Sequence, residues 1–147
     1  MTGRMSDTTP TRLAETRAGF LDLAESDRLE YLLELAGDLP PLPAQYADHE
    51  EELERVEECQ SPVYIIVDVD NEVVNVHATA PVTAPTTRGF ASILVQGLSG
   101  ISPAEVLATP DDYPLTIGLT ALVSPLRLRG MSGMLWRIKR QVAEKMV

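Results

Sequence analysis

Residues 63–80 read VYIIVDVDNEVVNVHATA, and this stretch decides the fold. Its first part, Val63 to Val69, is rich in β-branched and aromatic residues, which favour extended strands. Asp70-Asn71 is typical of a two-residue turn, and residues 72–80 return as a second strand. On one face of that strand every second position is apolar, namely Val74, Val76 and Ala78. The stretch therefore predicts an antiparallel hairpin whose apolar face packs on helices.

Helical spacing flanks this hairpin on both sides. Before it, apolar residues recur at helical intervals over residues 11–24 and 29–36. After it, residues 88–96 predict a buried helix. Ser102-Pro103-Ala104-Glu105 opens a short helix with a capping box, and Ser124-Pro125 repeats the cap and proline at the start of the last helix.

A short edge strand over residues 55–57 and a Pro- and Thr-rich loop over residues 80–87 complete the pattern. Residues 1–10 predict a disordered leader, and residues 11–147 one domain. Neither an internal repeat nor a linker interrupts the sequence. The predicted fold is therefore a single α+β domain, in which a three-stranded antiparallel sheet packs with helices.

Composition and charge limit the classes of function. The 147 residues are 44% hydrophobic with a net charge of −10, which suits one soluble domain with its own core. The acidic balance argues against nucleic-acid binding, which depends on neutralising phosphates. No stretch holds the roughly 20 apolar residues of a membrane span, and no signal-peptide pattern is seen. We therefore expect a cytoplasmic protein without membrane or nucleic-acid partners. Cations cluster after Ser124, either as a solvated helix face or as a surface for an acidic partner.

Cys59 is the only cysteine, within EECQSPVY at residues 57–64. A lone thiol excludes an internal disulfide and a cysteine-based metal site. It can be a nucleophile, a sulfur carrier, a redox sensor or a small buried hydrophobe. The polar neighbours and Pro62 are typical of a loop directly before a strand. They predict a thiol displayed on a stiff turn at one end of the sheet.

The charges around Cys59 disfavour its ionisation. Glu57 and Glu58 repel a thiolate, so a nearby cation or an incoming partner would have to help. His49 and His77 are the two histidines, and either could act as a base, although no spacing ties them to Cys59. The sequence contains no phosphate-binding loop, Ser-His-Asp pattern or metal-ligand spacing.

Several segments, in order, carry a resemblance that covers most of residues 12–145. They are LEYLLEL (29–35) with LPPLP (39–43), VEECQSPVY (56–64), TTRGF (86–90) and LVSPLRLRGM (122–131). The set resembles the SufE family of sulfur acceptors, which work with cysteine desulfurases in iron–sulfur cluster assembly. Glu58, Pro62 and Tyr64 stand where many members have Gly, Gln and Trp, and they resemble an actinobacterial-type branch.

The resemblance implies a function and a fold. Cys59 would take sulfur from the persulfide of a SufS-type cysteine desulfurase, stimulate that enzyme, and deliver the sulfur onward, with iron–sulfur scaffold proteins as candidate recipients. It implies a fold like the NifU/IscU scaffolds, but a single cysteine favours a carrier over a scaffold. Pyridoxal phosphate would belong to the desulfurase, so this chain would need no cofactor or metal of its own. It would be an accessory protein and not a stand-alone enzyme, with a homodimer as one option.

The resemblance also implies roles for individual residues. Gln60 and Ser61 would shape the thiol loop, or be simple turn residues. Arg127 matches the arginine of the family's Ser-Pro-x-Arg segment, and its guanidinium could offset the acidic flank and favour the thiolate. Arg88 could serve similarly, and each arginine could instead be a surface residue.

Two other functions remain open from the sequence. Cys59 could be structural in an allosteric partner of a desulfurase, or it could be a redox-sensing thiol. Shelter of the thiol would suit a carrier, since other thiols readily remove sulfur from an exposed persulfide.

Overall fold

The computed structural model describes residues 7 to 146. The helices are α1 (Thr11–Asp22), α2 (Arg28–Gly37), α3 (Ala44–Ala47), α4 (Pro85–Leu98), α5 (Pro103–Leu107) and α6 (Pro125–Lys145). The strands are β1 (Glu54–Arg55), β2 (Tyr64–Asp70) and β3 (Val73–Thr79), joined antiparallel in the order β1-β2-β3. The predicted α+β fold with a three-stranded antiparallel sheet is confirmed.

The hairpin forms as its alternation predicts, but its turn is one residue later than expected. Strands β2 and β3 pair from Tyr64 with Thr79 to Asp70 with Val73, so Asp70 stays within the ladder. Asn71 and Glu72 make the turn, with φ of 53° and 62°. Positive φ at both central residues gives the turn whose twist matches that of the strands. The predicted apolar face is buried, at Val74, Val76 and Ala78.

Other element boundaries also differ slightly from prediction. Strand β1 ends at Arg55 and not at residue 57, because the chain turns away after Val56 into the loop that carries Cys59. Helix α4 begins at Pro85, so the predicted loop ends at Ala84; proline suits a first helical position because no donor is needed there. The predicted capping box of α5 is confirmed, with Ser102 Oγ accepting from Glu105 N at 3.2 Å.

Helix α4 lies in the core, between the first two helices and the sheet. Gly89 permits its close approach to α2, since a Cβ there would lie 2.8 Å from the carbonyl oxygen of Leu32.

Helix α6 packs on β2 and covers the part of its edge that the short β1 leaves open. Gln141 Oε1 accepts the Val67 N–H there at 2.9 Å. This contact fixes α6 next to the loop between β1 and β2.

The predicted disordered leader covers residues 1–10. Residues 1–6 lie outside the described part of the chain, so disorder there stays a prediction. Residues 7–10 have no regular secondary structure, yet they contact the domain. Pro10 is buried, and Asp7 Oδ2 lies 3.2 Å from Arg17 Nη2.

None of the helices in the described part of the chain combines the length and hydropathy that a membrane span requires.

Candidate functional site

Cys59 lies in a short loop between β1 and β2, which we call the thiol loop and define as residues 57–62. Val56 and Val63, at its two ends, are fully buried. Val56 N donates to Val63 O at 2.9 Å, and Cys59 N donates back to Val56 O at 3.1 Å. The ends of the thiol loop are therefore fixed by the sheet.

The thiol is sheltered, and the expectation of a displayed thiol is wrong. Cys59 is only 7% exposed. Its Sγ packs against Gly130 of α6, where an added Cβ would lie 2.9 Å away from it. The polar composition of the thiol loop correctly indicates that Glu57, Gln60 and Pro62 are exposed. It does not reveal the direction of the Cys59 side chain, because that depends on a helix far along the chain.

Burial raises the pKa of the Cys59 thiol to about 11. The Glu58 carboxylate contributes to this rise, while Arg137 and Arg55 act in the opposite direction. At neutral pH such a thiol is ionised in roughly one molecule in ten thousand. The free protein therefore holds a protonated thiol of low reactivity, and burial contributes more to this than the acidic flank that the sequence indicated.

This pKa predicts an unusual pH profile for alkylation of Cys59. Only the thiolate reacts, so the rate should rise about tenfold per pH unit to about pH 11, whereas an exposed cysteine levels off near pH 8.5. Iodoacetamide rates on the native protein and on the protein in urea measure the difference. A plateau of the native rate near the value of the unfolded chain would contradict the prediction.

Folding stability should follow the same titration. The folded state keeps the thiol proton at pH values where the unfolded chain has lost it, so stability is lost as pH rises from the ordinary thiol range toward about 11. Burial also raises the pKa of Tyr113, which adds loss of the same sign. Urea midpoints of the wild type and Cys59→Ser, measured across this pH range, give the contribution of the thiol. The loss of stability that the thiol causes should appear in the wild type and be absent from Cys59→Ser.

A pocket of about 360 Å³ lies beside Cys59. Its walls are residues 58–61 of the thiol loop, residues 83–87 at the start of α4, and Ser124, Leu126 and Arg127 at the start of α6. Helix N-termini and a guanidinium carry positive potential and favour an anion or a developing negative charge, whereas the Glu58 carboxylate, which also lines the pocket, opposes it. The pocket therefore offers room and charge next to the only thiol.

The structure brings most of the predicted site residues to this pocket. Gln60, Ser61 and Arg127 all line it together with Cys59. Arg127 is exposed, and its backbone N–H is capped by Ser124 Oγ at 3.3 Å. Arg127 therefore lies at the rim of the pocket.

Arg88 and the histidines lie elsewhere. Arg88 Nε donates to Ala36 O at 3.2 Å and its Nη1 to Ala80 O, so it ties the end of α2 to the sheet and does not face the thiol. His49 Nδ1 lies 3.2 Å from a carboxylate oxygen of Glu51, and His77 Nε2 lies 3.1 Å from Asp68. Of the described residues that line the pocket, none is a histidine, so neither is placed as a base for Cys59.

Sequence reasoning missed Arg137, which is 8% exposed and donates its Nη1 to Glu58 Oε1. The sequence shows it only as one cation among several on the last helix. The available signal was its spacing from Gly130 and Gly133, because residues three, four and seven apart share one helix face. Two glycines and an arginine on one face indicate a close approach to a polar chain segment.

Comparisons with known proteins identify the family of this chain. The SufE family model, an Fe-S metabolism associated domain, matches residues 14–142. The chain belongs to the SufE family. A SufE-like protein of Mycobacterium tuberculosis (strain CDC 1551), described as uncharacterized, is 51% identical over 136 residues, 92% of this chain and 94% of that protein. SufE-like protein 1, chloroplastic/mitochondrial, of Arabidopsis thaliana is 33% identical over 127 residues, which are 86% of this chain and 33% of the plant protein.

A solved structure shares the fold of this SufE-family chain. It is the solution structure of a hypothetical protein from Thermus thermophilus, with a TM-score of 0.83 and 37% sequence identity. The match covers 94% of this chain and 98% of that one. Family membership associates the chain with iron–sulfur metabolism, and Cys59 and Arg127, which carry part of the resemblance, meet at one pocket.

Proposed function

We propose that this SufE-family chain is a sulfur carrier. Cys59 accepts the terminal sulfur of a persulfide on a SufS-type cysteine desulfurase, stimulates that enzyme by clearing its persulfide, and delivers the sulfur for iron–sulfur cluster assembly. The observation that supports this most is the placement of the chain's only thiol, sheltered against Gly130 and next to a pocket that can take a reacting group.

The transfer balances without an added oxidant or reductant. The Cys59 thiolate attacks the terminal sulfur of the donor persulfide, forming a new S–S bond to Cys59. The S–S bond of the donor breaks, and the donor cysteine leaves as a thiolate that takes up the proton lost by Cys59. The persulfide is made on the desulfurase, where pyridoxal phosphate would act, so this chain contributes an acceptor thiol and a protected place for its product.

Activation of Cys59 has to accompany docking. A thiol with a pKa of about 11 is a poor nucleophile at neutral pH, and the same burial keeps the donor sulfur away. Movement of the thiol loop off α6 would relieve the burial, since desolvation is the main cause of the raised pKa. Arg127, at the rim of the pocket, would then stabilise the thiolate and the persulfide anion.

Intact-protein mass spectrometry tests the proposal. The full chain is incubated with a SufS-type desulfurase and free cysteine, and a gain of one sulfur atom is expected that a reductant removes. Peptide mapping should place the added sulfur on Cys59. Absence of any gain, with alanine production by the desulfurase confirmed in the same tube, would contradict the carrier function.

The redox-sensor alternative is disfavoured by the same geometry. Sensor cysteines are accessible and have a lowered pKa, whereas Cys59 is buried and has a raised one. An allosteric partner that needs no thiol is separated from a carrier by the Cys59→Ser variant discussed below.

A further inference from the structure

Two consecutive residues of the thiol loop are seated on one face of α6. Gly130 leaves room for Cys59 Sγ, and Gly133 leaves room for the Glu58 carboxylate, since a Cβ at Gly133 would lie 2.5 Å from Glu58 Oε1. Arg137, one turn further along α6, donates from Nη1 to Glu58 Oε1 and to Gly133 O, the latter at 3.2 Å. The thiol and the ion pair therefore close the thiol loop together.

The Glu58–Arg137 pair is the only polar side-chain contact that joins the thiol loop to another element within residues 7–146. Glu57, Gln60 and Pro62 are exposed, and the backbone hydrogen bond of Cys59 returns to Val56. The Arg137 side chain is only 9% exposed, so water screens the pair less than it would screen a surface ion pair. Apart from packing of Cys59 itself, closure of the thiol loop thus depends on one ion pair.

We propose that Arg137 is a positioning residue for sulfur transfer: through Glu58 it holds the thiol loop closed on α6 and sets the access of other molecules to Cys59. The role in sulfur transfer rests on the proposed function, while the control of access does not.

Glu54 makes this closure reversible. Its Oε2 lies 3.3 Å from Arg137 Nε, as an ion pair without a hydrogen bond, and its Oε1 accepts from Arg140 Nη2 and Gln141 Nε2. Glu54 belongs to β1, whose pairing with β2 does not involve the thiol loop. When Glu58 leaves, Arg137 keeps the Glu54 carboxylate, which it shares with Arg140, and is not left as an unpaired buried charge, which would be far more costly. Arg137 thus contacts two carboxylates, Glu54 and Glu58, when the thiol loop is closed, and Glu54 alone when it is open.

Alkylation kinetics of the free, full-length protein test the inference. Glu58→Gln, Arg137→Gln and the double variant should each raise the iodoacetamide rate of Cys59 roughly tenfold, since local opening controls the access of the reagent. The rise in Arg137→Gln is the decisive one, because loss of this cation by itself would raise the pKa of Cys59 and slow the reaction. The two substitutions should not add, because either one removes the same ion pair. Lys139→Gln is the matched control: it removes a cation of α6 that pairs with Asp111 at 2.8 Å, and its rate should equal that of the wild type.

Global stability must be measured alongside, because unfolding also exposes the thiol. Urea midpoints show whether a faster rate arises with the fold intact, and the partly exposed Glu58→Gln variant keeps the test valid if Arg137→Gln does not fold. A wild-type rate in Glu58→Gln, or strictly additive effects in the double variant, would overturn the inference.

The two proposals fail separately. The alkylation assay contains no desulfurase, so absence of sulfur loading in the wild type would leave its outcome untouched. Normal sulfur loading together with unchanged alkylation of Glu58→Gln would remove this inference alone.

Discussion

Cys59→Ser is expected to abolish sulfur loading and stimulation of the desulfurase completely, while the protein still folds and binds its partner. Serine fits the space beside Gly130, but its hydroxyl cannot carry a persulfide sulfur. Placing a hydroxyl in this sheltered position should reduce the free energy of unfolding by about 1–2 kcal/mol. The effect on function is all-or-none, whereas the effect on stability is small.

Three measurements on this variant separate carrier from allosteric partner. Intact mass reports sulfur loading, sulfide release under reductant reports stimulation, and titration of the desulfurase reports binding. Loss of the first two with binding retained supports the carrier. Stimulation retained without loading would instead support an allosteric partner with a structural Cys59. Cys59→Ala serves as the matched variant, since it lacks both the thiol and the hydroxyl and should behave identically.

The fold was predictable where its signals are local. Alternation at Val74, Val76 and Ala78 lies within a few residues, and so does the capping box at Ser102, so each pattern identifies its own element. The turn was misplaced by one residue because Asp70, Asn71 and Glu72 are all acceptable near a turn. The position of the turn is set by the strand register, which keeps Asp70 paired with Val73.

The site was predictable only in part, for a related reason. Cys59 and Arg127 stand out because each belongs to a short motif, and they meet at the pocket. Arg88 also stands in such a motif, yet its guanidinium is taken up by the carbonyls of Ala36 and Ala80. The Glu58–Arg137 pair exists only because α6 crosses the thiol loop. The spacing of Gly130, Gly133 and Arg137 indicates that some segment approaches α6 closely, but no local pattern identifies it as the thiol loop.

Gly130→Val should expose the thiol and raise its alkylation rate at pH 8 by about a hundredfold. The branched side chain would occupy the space of Cys59 Sγ, which lies 2.9 Å from the Cβ position, so the thiol has to leave that space. The factor follows from a thiol pKa that returns from about 11 to its ordinary value in water. Gly130→Ala should give a smaller rise in the alkylation rate, because alanine places only its Cβ in the space of Cys59 Sγ, whereas valine adds two further methyl groups.

Gly37→Ala is the control for this series, since a Cβ at Gly37 meets nothing within 4 Å and its alkylation rate should stay at the wild-type value. A folded Gly130→Val protein that reacts as slowly as the wild type would show that shelter does not depend on Gly130.

Shelter of Cys59 should also slow the loss of sulfur from a Cys59 persulfide, although acceptance of the sulfur does not need that shelter. Gly130→Val should still be loaded by a desulfurase, but it should lose the sulfur faster to a small thiol such as dithiothreitol. The two rates, measured on one variant, distinguish a cysteine that merely accepts sulfur from a site built to keep it.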